Sequence, residues 1–149
     1  RGYMISPEVL GLPVKMDPLV TEGKVGMLKT FQDLTALVDA TGICLFTTFA
    51  IGLPEVAAQY REAVGSNESD EEILLKGERI WNLEKQFNIA AGVEKDTLPP
   101  RLLREKLPSG PAEGKVNDLY TMLSEYYAVR GWTAEGIPTP EKLEQLHLQ

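Results

Sequence analysis

Three long stretches of this chain repeat apolar residues at steps of three and four, the spacing that places side chains on one face of an α-helix. These stretches cover residues 19–38, 70–87 and 116–129. Gly42 and Gly131 follow the first and third stretches, where glycine can adopt the left-handed conformation that ends a helix. The pattern predicts an all-α fold whose long helices bury their apolar faces against one another.

Shorter segments complete the predicted fold. Prolines and glycines make residues 1–18 an extended, irregular lead-in and residues 88–115 a loop-rich segment, and Trp132 is expected to fold back onto the core. We predict a single irregular helical domain over residues 1–149, with about five or six helices around one core. The short helices are predicted over residues 54–64, 100–104 and 141–146, with a short buried helix over residues 44–51.

Several conspicuous residues have structural interpretations. Residues 69–72 form a capping-box pattern whose acidic groups suit a helix N-terminus. Gly77 is expected to allow the close approach of a neighbouring element. Trp81 and Phe87 recur at helical spacing, which predicts core packing. His147 lies beside the end of the chain, where we expect it to be exposed to solvent.

Composition excludes some classes of protein. The chain has 149 residues and a formal charge of −7, from 15 basic and 22 acidic residues. No basic stripe is available to bind phosphates, so we expect no nucleic-acid partner. No apolar run approaches the roughly 18 residues of a membrane helix, so we expect no membrane contact. With one cysteine there is no internal disulfide, which favours a reducing, cytoplasmic setting.

The first residues carry a further expectation. Arg1 stands where an initiator methionine is expected, and the residues after it lack the charged and apolar regions of a signal peptide. We therefore expect the sequence to be a fragment of a longer protein. Common catalytic patterns are also missing: there is no glycine-rich phosphate loop, no H-E-x-x-H, no C-x-x-C, and no Ser-His-Asp set.

The one feature with chemical potential is the segment that follows the first predicted helix. Cys44 is the only cysteine, with Asp39 five positions before it and Gly42 between them. One interpretation is a buried structural cysteine, since free cysteine packs as a small apolar residue. The other is that Asp39 and Cys44 face one ligand across a tight turn. The residues alone favour the buried structural cysteine and leave the ligand-binding interpretation as the alternative.

Five short motifs in order give this chain a strong resemblance to the C-terminal part of the aldehyde:ferredoxin oxidoreductase family. The resemblance runs over essentially the whole sequence. Each motif alone is weak, but five in the order of the family are hard to obtain by chance. The motifs are Asp39-Ala40-Thr41-Gly42-Ile43-Cys44; Glu78-Arg79-Ile80-Trp81-Asn82-Leu83-Glu84; Leu107-Pro108-Ser109-Gly110-Pro111; Glu125-Tyr126-Tyr127 with Arg130-Gly131-Trp132; and Ile137-Pro138-Thr139-Pro140-Glu141-Lys142-Leu143.

The resemblance implies an enzyme that oxidises aldehydes to carboxylic acids with water. In this family, two pterin dithiolenes hold tungsten, or molybdenum in some relatives, and a 4Fe-4S cluster passes electrons to ferredoxin. The expected partners are therefore ferredoxin, an aldehyde substrate and upstream domains of the same chain. The sequence does not identify the aldehyde.

The family motif can be carried onto four residues here. The resemblance implies that Asp39, Gly42 and Ile43 belong to a pterin-binding segment, and that Cys44 is the fourth ligand of the cluster. Ile43 replaces the usual leucine of the family, a change of similar volume. The other three cluster cysteines and the residues of the substrate pocket lie upstream in the family. No catalytic residue is therefore expected in this chain, and no cofactor is expected to bind to it alone.

A second hypothesis comes from a different class of protein. The chain would be a non-catalytic helical interaction module, a relative without redox chemistry in which Cys44 is only packed. Substitution of Cys44 in the longer protein separates the two hypotheses, because only a cluster ligand affects iron content.

Overall fold

The regular structure of the described residues is helical. The computed structural model describes residues 17, 19–93 and 95–149. Among these residues there is no β-strand, only an isolated bridge between Trp132 and Pro138, which confirms the all-α prediction. The predicted lead-in lies, except for Asp17 itself, outside the described residues. The elements are α1 (Val25–Thr41), a 3-10 helix (Leu45–Phe49), α2 (Leu53–Val64), α3 (Asp70–Ala90), α4 (Pro100–Arg104), α5 (Leu119–Arg130) and α6 (Pro140–Gln145).

Helix α1 starts later than the periodicity predicts. The Leu19 N–H donates to the Asp17 carboxylate at 2.8 Å, and Gly23 has a φ of 73°. A left-handed residue interrupts the right-handed helix, so residues 19–24 form turns and α1 begins at Val25. The apolar spacing before Gly23 did not reveal this break.

Helices α1 and α3 pack closely, because Gly77 of α3 lies directly against the backbone of α1. A Cβ atom at Gly77 would overlap the Asp33 carbonyl oxygen. This contact confirms the close approach predicted for Gly77. Helix α2 covers one end of the pair and completes the apolar core, whose buried members are Leu34, Leu37, Val38, Val56, Ala57 and Ile73.

The aromatic residues divide between the core and the surface. Trp132 is buried, and its indole N–H donates to the Asn82 side-chain oxygen at 2.8 Å, as predicted for a residue that folds back. Trp81 is half-buried and donates to the Tyr126 hydroxyl at 2.9 Å. The core prediction is wrong for Phe87, which is 70% exposed, because it lies on the same face of α3 as Leu83, and that side chain is exposed too.

The segment after α3 is rich in loops, as predicted, although α3 itself continues to Ala90. Its only described helix is the short α4, and the Leu107 N–H closes a local loop by donating to the Lys115 carbonyl at 3.0 Å. His147 is exposed, as predicted. None of the described helices is both long and apolar enough to cross a membrane.

Candidate functional site

Residues 39–44, here called the cysteine turn, comprise the last residues of α1 and the short link to the 3-10 helix. Gly42 ends α1 in the left-handed conformation, with a φ of 75°, and its N–H donates to the Asp39 carbonyl at 3.2 Å. The Thr41 hydroxyl donates to the Val38 carbonyl at 2.7 Å and accepts from the Ile43 N–H at 3.4 Å. These local bonds fix the backbone of the turn without help from a distant segment.

Cys44 has a fixed backbone and an exposed side chain. Its carbonyl accepts hydrogen bonds from the Thr47 N–H at 2.9 Å and from the Thr47 hydroxyl at 2.7 Å. The thiol is exposed. The interpretation of Cys44 as a buried structural cysteine is therefore wrong, and the thiol is accessible to a ligand.

Asp39 and Ile43 lie in different environments. Asp39 belongs to the last turn of α1 and is exposed, and its carboxylate accepts no hydrogen bond from any described residue. Ile43 is half-buried and packs against the apolar core. The structure thus brings the four predicted site residues into one turn, with Ile43 as the anchor and with Asp39, Gly42 and Cys44 open to solvent.

The 3-10 helix after Cys44 presents apolar side chains to solvent. Leu45, Phe46 and Phe49 are 43%, 62% and 55% exposed, and the two phenyl rings stack with centroids 6.0 Å apart. These three residues are here called the apolar face. The predicted short buried helix is therefore wrong in its burial, since Thr48 alone of the five residues is buried. The apolar composition of residues 44–51 predicted burial, but composition does not show which residues would cover the helix.

The side chains of the cysteine turn could form one part of a cofactor site. The described residues contain no group of three or more His, Cys, Asp or Glu side chains that could hold a metal ion. A 4Fe-4S cluster is held by four cysteine thiolates. The exposed thiol of Cys44 could fill one of these four positions. The exposed carboxylate of Asp39 could accept hydrogen bonds from the N–H groups of a ring.

Sequence reasoning missed a cluster of buried charges between α1, α3 and α5. Arg130 is fully buried, and its Nη1 donates to Asp33 Oδ1 at 2.6 Å. Its Nη2 donates to the side-chain oxygen of Gln32 at 2.8 Å, and its Nε donates to the Tyr126 hydroxyl at 3.0 Å. The available signal was an arginine placed between apolar and aromatic residues near the end of α5. Asp33 and Gln32 are almost a hundred positions from Arg130, so spacing did not identify them as its partners.

Glu78 extends this cluster towards α6. Lys29 lies 2.8 Å from Asp33 and 2.9 Å from Glu78, and Lys142 lies 3.2 Å from Glu78. Burial on its own would raise the pKa of Glu78, but the two lysines outweigh burial and hold that pKa below its usual value. The five charged residues Lys29, Asp33, Glu78, Arg130 and Lys142 are here called the buried charge network.

A family model described as "Aldehyde ferredoxin oxidoreductase, domains 2 & 3" matches residues 1–148 of this sequence. The chain belongs to the aldehyde ferredoxin oxidoreductase family. This assignment confirms the resemblance carried by the five motifs. The buried charge network takes Glu78, Arg130 and Lys142 from three of those motifs, and the cysteine turn is a fourth.

Two family members align with all or nearly all of the chain. It is 51% identical, over 100% of its length, to the tungsten-containing aldehyde ferredoxin oxidoreductase of Pyrococcus abyssi. It is 49% identical, over 98% of its length, to the protein of the same name in Thermococcus kodakarensis. These alignments cover 25% of each relative, so the chain spans about a quarter of the length of the curated relatives it matches.

A more distant relative carries another name. The chain is 32% identical, over 78% of its length and 20% of the relative, to a Pyrococcus furiosus protein named "Aliphatic sulfonate oxidoreductase, WOR-like subunit". Proteins similar to this part of the aldehyde ferredoxin oxidoreductase family thus bear names that specify different substrates. This similarity therefore does not select a substrate.

Proposed function

We propose that this chain is the C-terminal helical part of a longer tungsten-pterin oxidoreductase that converts aldehydes to carboxylic acids and passes the electrons to ferredoxin. The observation that carries the proposal is the cysteine turn, where an exposed thiol and an exposed carboxylate stand on an ordered backbone. Family membership and the names of the relatives support it. The chain alone is proposed to be inactive, because upstream domains would supply the rest of the site.

Asp39 is proposed to bind a pterin. An ionised carboxylate has two acceptor oxygens, which match the paired amino and ring N–H groups of a pterin, and hydrogen bonds to a charged acceptor are strong. The Asp39 carboxylate makes no bond within the described residues that would have to be broken first. Gly42 lies in an exposed part of the turn and has no side chain, so a flat ring can approach its backbone closely.

Cys44 is proposed to be the fourth ligand of a 4Fe-4S cluster. Its thiol is exposed, while two hydrogen bonds from Thr47 fix its carbonyl. A ligand with a fixed backbone loses little conformational freedom when it binds. When bound, the tungsten-pterin unit and the cluster supply the oxidation and the electron transfer. Asp39 and Cys44 would keep the two cofactors side by side.

The apolar face is proposed to pack against upstream domains in the longer protein. Leu45, Phe46 and Phe49 directly follow Cys44 and are each more than a third exposed. Exposed apolar patches commonly mark interaction surfaces. Burial of this patch would exclude water from one side of the cluster ligand. We further propose a cytoplasmic setting, which suits a protein that keeps a single reduced thiol.

Substitution of Cys44 by alanine in the longer protein tests the proposed cluster ligand. We expect the variant to lose cluster iron and aldehyde oxidation, because one of four thiolates is missing. Iron per subunit, tungsten per subunit and the rate of ferredoxin reduction are the measurements. Ser124→Ala is the matched control, since it removes one side-chain atom from an exposed residue of α5. Unaltered iron content and activity in Cys44→Ala would contradict the role of Cys44 as a cluster ligand. An unaltered longer protein that held no cluster iron and oxidised no aldehyde would favour the non-catalytic module.

Substitution of Asp39 by asparagine tests the pterin contact separately. The amide keeps the shape of the side chain but replaces an acceptor oxygen by a donor, so we expect pterin and tungsten content to fall. Glu62→Gln, an equal change of charge at an exposed position of α2, is the control and should leave both contents unchanged. Full pterin content in Asp39→Asn would contradict the assigned role.

A further inference from the structure

A groove begins beside the cysteine turn. It has a volume of about 710 Å³ and lies between the end of α1, α2 and α3. Small-molecule sites in proteins commonly measure about 300–1,000 Å³ and are mainly apolar, with a few polar groups. The groove fits that description, since its walls include the apolar side chains of Leu37, Ile43, Val64, Ile80 and Leu83.

One cationic side chain in this groove has no partner among the described residues. Arg79 of α3 lines the groove and is half-buried, and its guanidinium makes no hydrogen bond or ion pair with any described residue. The neighbouring Lys76 differs, because it lies 2.6 Å from Glu68 and its charge is balanced. An arginine is always charged and presents five N–H donors in a planar fork. The groove therefore combines apolar walls with one positive charge that no described residue balances.

We propose that this groove binds a small monocarboxylate with an apolar body. The planar fork of Arg79 matches the two oxygens of a carboxylate, which it can bind through paired hydrogen bonds. The apolar body of the ligand would cover Ile80 and Leu83, both of which water still reaches at the groove. A small multiply charged anion such as phosphate would satisfy Arg79 but would leave the apolar walls exposed.

The position of the groove suggests where such an acid comes from. Ile43 lines the groove and belongs to the cysteine turn, so the groove is adjacent to the proposed cofactor site. Carboxylic acids are the products expected of aldehyde oxidation. The identification of the ligand as a reaction product rests on the proposed function. The binding of an apolar carboxylate rests on the groove itself and needs no cofactor.

Titration of the 149-residue chain with octanoate tests the proposal. We expect saturable binding of one octanoate per chain, measured by calorimetry, with shifts of the Arg79 Nε–H and Ile43 amide signals in NMR spectra. Octanamide keeps the apolar body and removes the charge, so it should bind about tenfold more weakly. Acetate keeps the charge and loses the apolar body, so it should show no saturable binding.

Variants separate the charge of Arg79 from general apolar adsorption. Arg79→Gln should weaken octanoate binding about tenfold while the thermal midpoint of unfolding stays the same. Arg101→Gln, at a side chain of α4 that is 81% exposed and outside this groove, should bind octanoate as the unaltered chain does. Leu83→Ser should also weaken octanoate binding, because it removes part of the apolar wall.

Three results would overturn the inference. Equal affinity for octanoate and octanamide would mean that Arg79 does not recognise the carboxylate. Equal affinity of the Arg79→Gln and unaltered chains would mean the same. A dimer in sedimentation experiments that excludes octanoate would assign the groove to a second copy of the chain. Because the chain carries no cofactor in this experiment, failure here leaves the cluster-ligand test with Cys44 untouched.

Discussion

Helix α1 has two contrasting regions. Along its length, here called the closed region, charged side chains are buried and paired; at its end, here called the open region, polar and apolar side chains are exposed. Along α1, Asp33 is buried with Arg130, and every buried side-chain nitrogen or oxygen in the described part of the chain has a hydrogen-bond partner. At the end of α1, the carboxylate of Asp39 and the thiol of Cys44 are exposed, and apolar rings follow them. Charged side chains are therefore buried along α1 beside its apolar core, whereas apolar rings are exposed just after its end.

This contrast separates residues whose interactions are completed within the chain from residues whose polar groups are available to a ligand. A buried charge is tolerated only when it is paired and hydrogen-bonded, and the buried charge network meets that condition within the chain. In the cysteine turn, by contrast, the Asp39 carboxylate accepts no hydrogen bond from a described residue and the Cys44 thiol is exposed. Chemically capable side chains at the turn are therefore better candidates for function than the more heavily charged cluster nearby.

The largest effect is expected where the closed region loses its central cation. Arg130→Met should destabilise the chain by about 3–5 kcal/mol, because it leaves Asp33 buried with one partner fewer. The free energy of unfolding in urea is the measurement. Arg101→Met, at an exposed ion pair of α4, should cost less than about 1 kcal/mol. Equal effects of the two substitutions would show that burial of the network does not matter for stability.

A smaller loss is expected from the backbone contact beneath the network. Gly77→Ala should cost about 1–3 kcal/mol, because the new methyl group pushes α3 away from the Asp33 carbonyl. Gly26→Ala is the control, since Gly26 lies in α1 and a methyl group added there would meet no atom within 4 Å apart from its chain neighbours and the adjacent backbone of its own helix. That control should gain up to about 1 kcal/mol from its higher helix propensity. A stable Gly77→Ala chain would contradict the close packing of α1 and α3.

The pH dependence of stability sharpens the role of Glu78. The pKa of Glu78 in the folded chain is below its usual value of 4.5, because Lys29 and Lys142 outweigh the effect of burial. A lowered folded pKa means that the carboxylate stabilises the fold above about pH 4.5 and loses that effect as the pH falls further. Glu78→Gln should therefore flatten the fall of the thermal midpoint below about pH 4.5, whereas Glu62→Gln should leave that slope unchanged.

The smallest effect on stability is expected in the open region. The double substitution Phe46→Ser with Phe49→Ser should change the free energy of unfolding by no more than about 0.5 kcal/mol, because both rings are already exposed. We expect the exposed apolar face to cause self-association of the unaltered chain in sedimentation experiments, and the double substitution should reduce it because it removes most of that face. Tyr120→Ser, at an exposed aromatic residue of α5, should not reduce self-association. A large loss of stability would show that the rings belong to the core.

The helices were predictable wherever local signals specify them. The capping box at Ser69 begins α3, with the Glu72 N–H donating to the Ser69 hydroxyl at 3.2 Å, and Gly42 ends α1 near the predicted position. The start of α1 was missed because a left-handed Gly23 interrupts a pattern that apolar spacing alone continues. Capping residues and apolar spacing thus predicted the existence of the helices better than the residues at which they begin and end.

Burial was harder to predict, because it depends on distant partners. Arg130 pairs with Asp33 across 97 positions of sequence, so its burial has no local signature. Phe46, Phe49 and Phe87 are apolar yet exposed, since periodicity reports a shared face and not what covers it. The four residues of the cysteine turn were found through the family motif. The exposure of Cys44 came only from the structure.

The reactivity of the Cys44 thiol tests the central claim most directly. In this chain the thiol is exposed, so a thiol reagent such as dithionitrobenzoate should modify one group per chain at the rate of an accessible cysteine. In the longer protein loaded with iron, we expect Cys44 to be protected and to become reactive only after iron is removed. Equal reactivity of Cys44 with and without iron would contradict the claim that it holds a cluster.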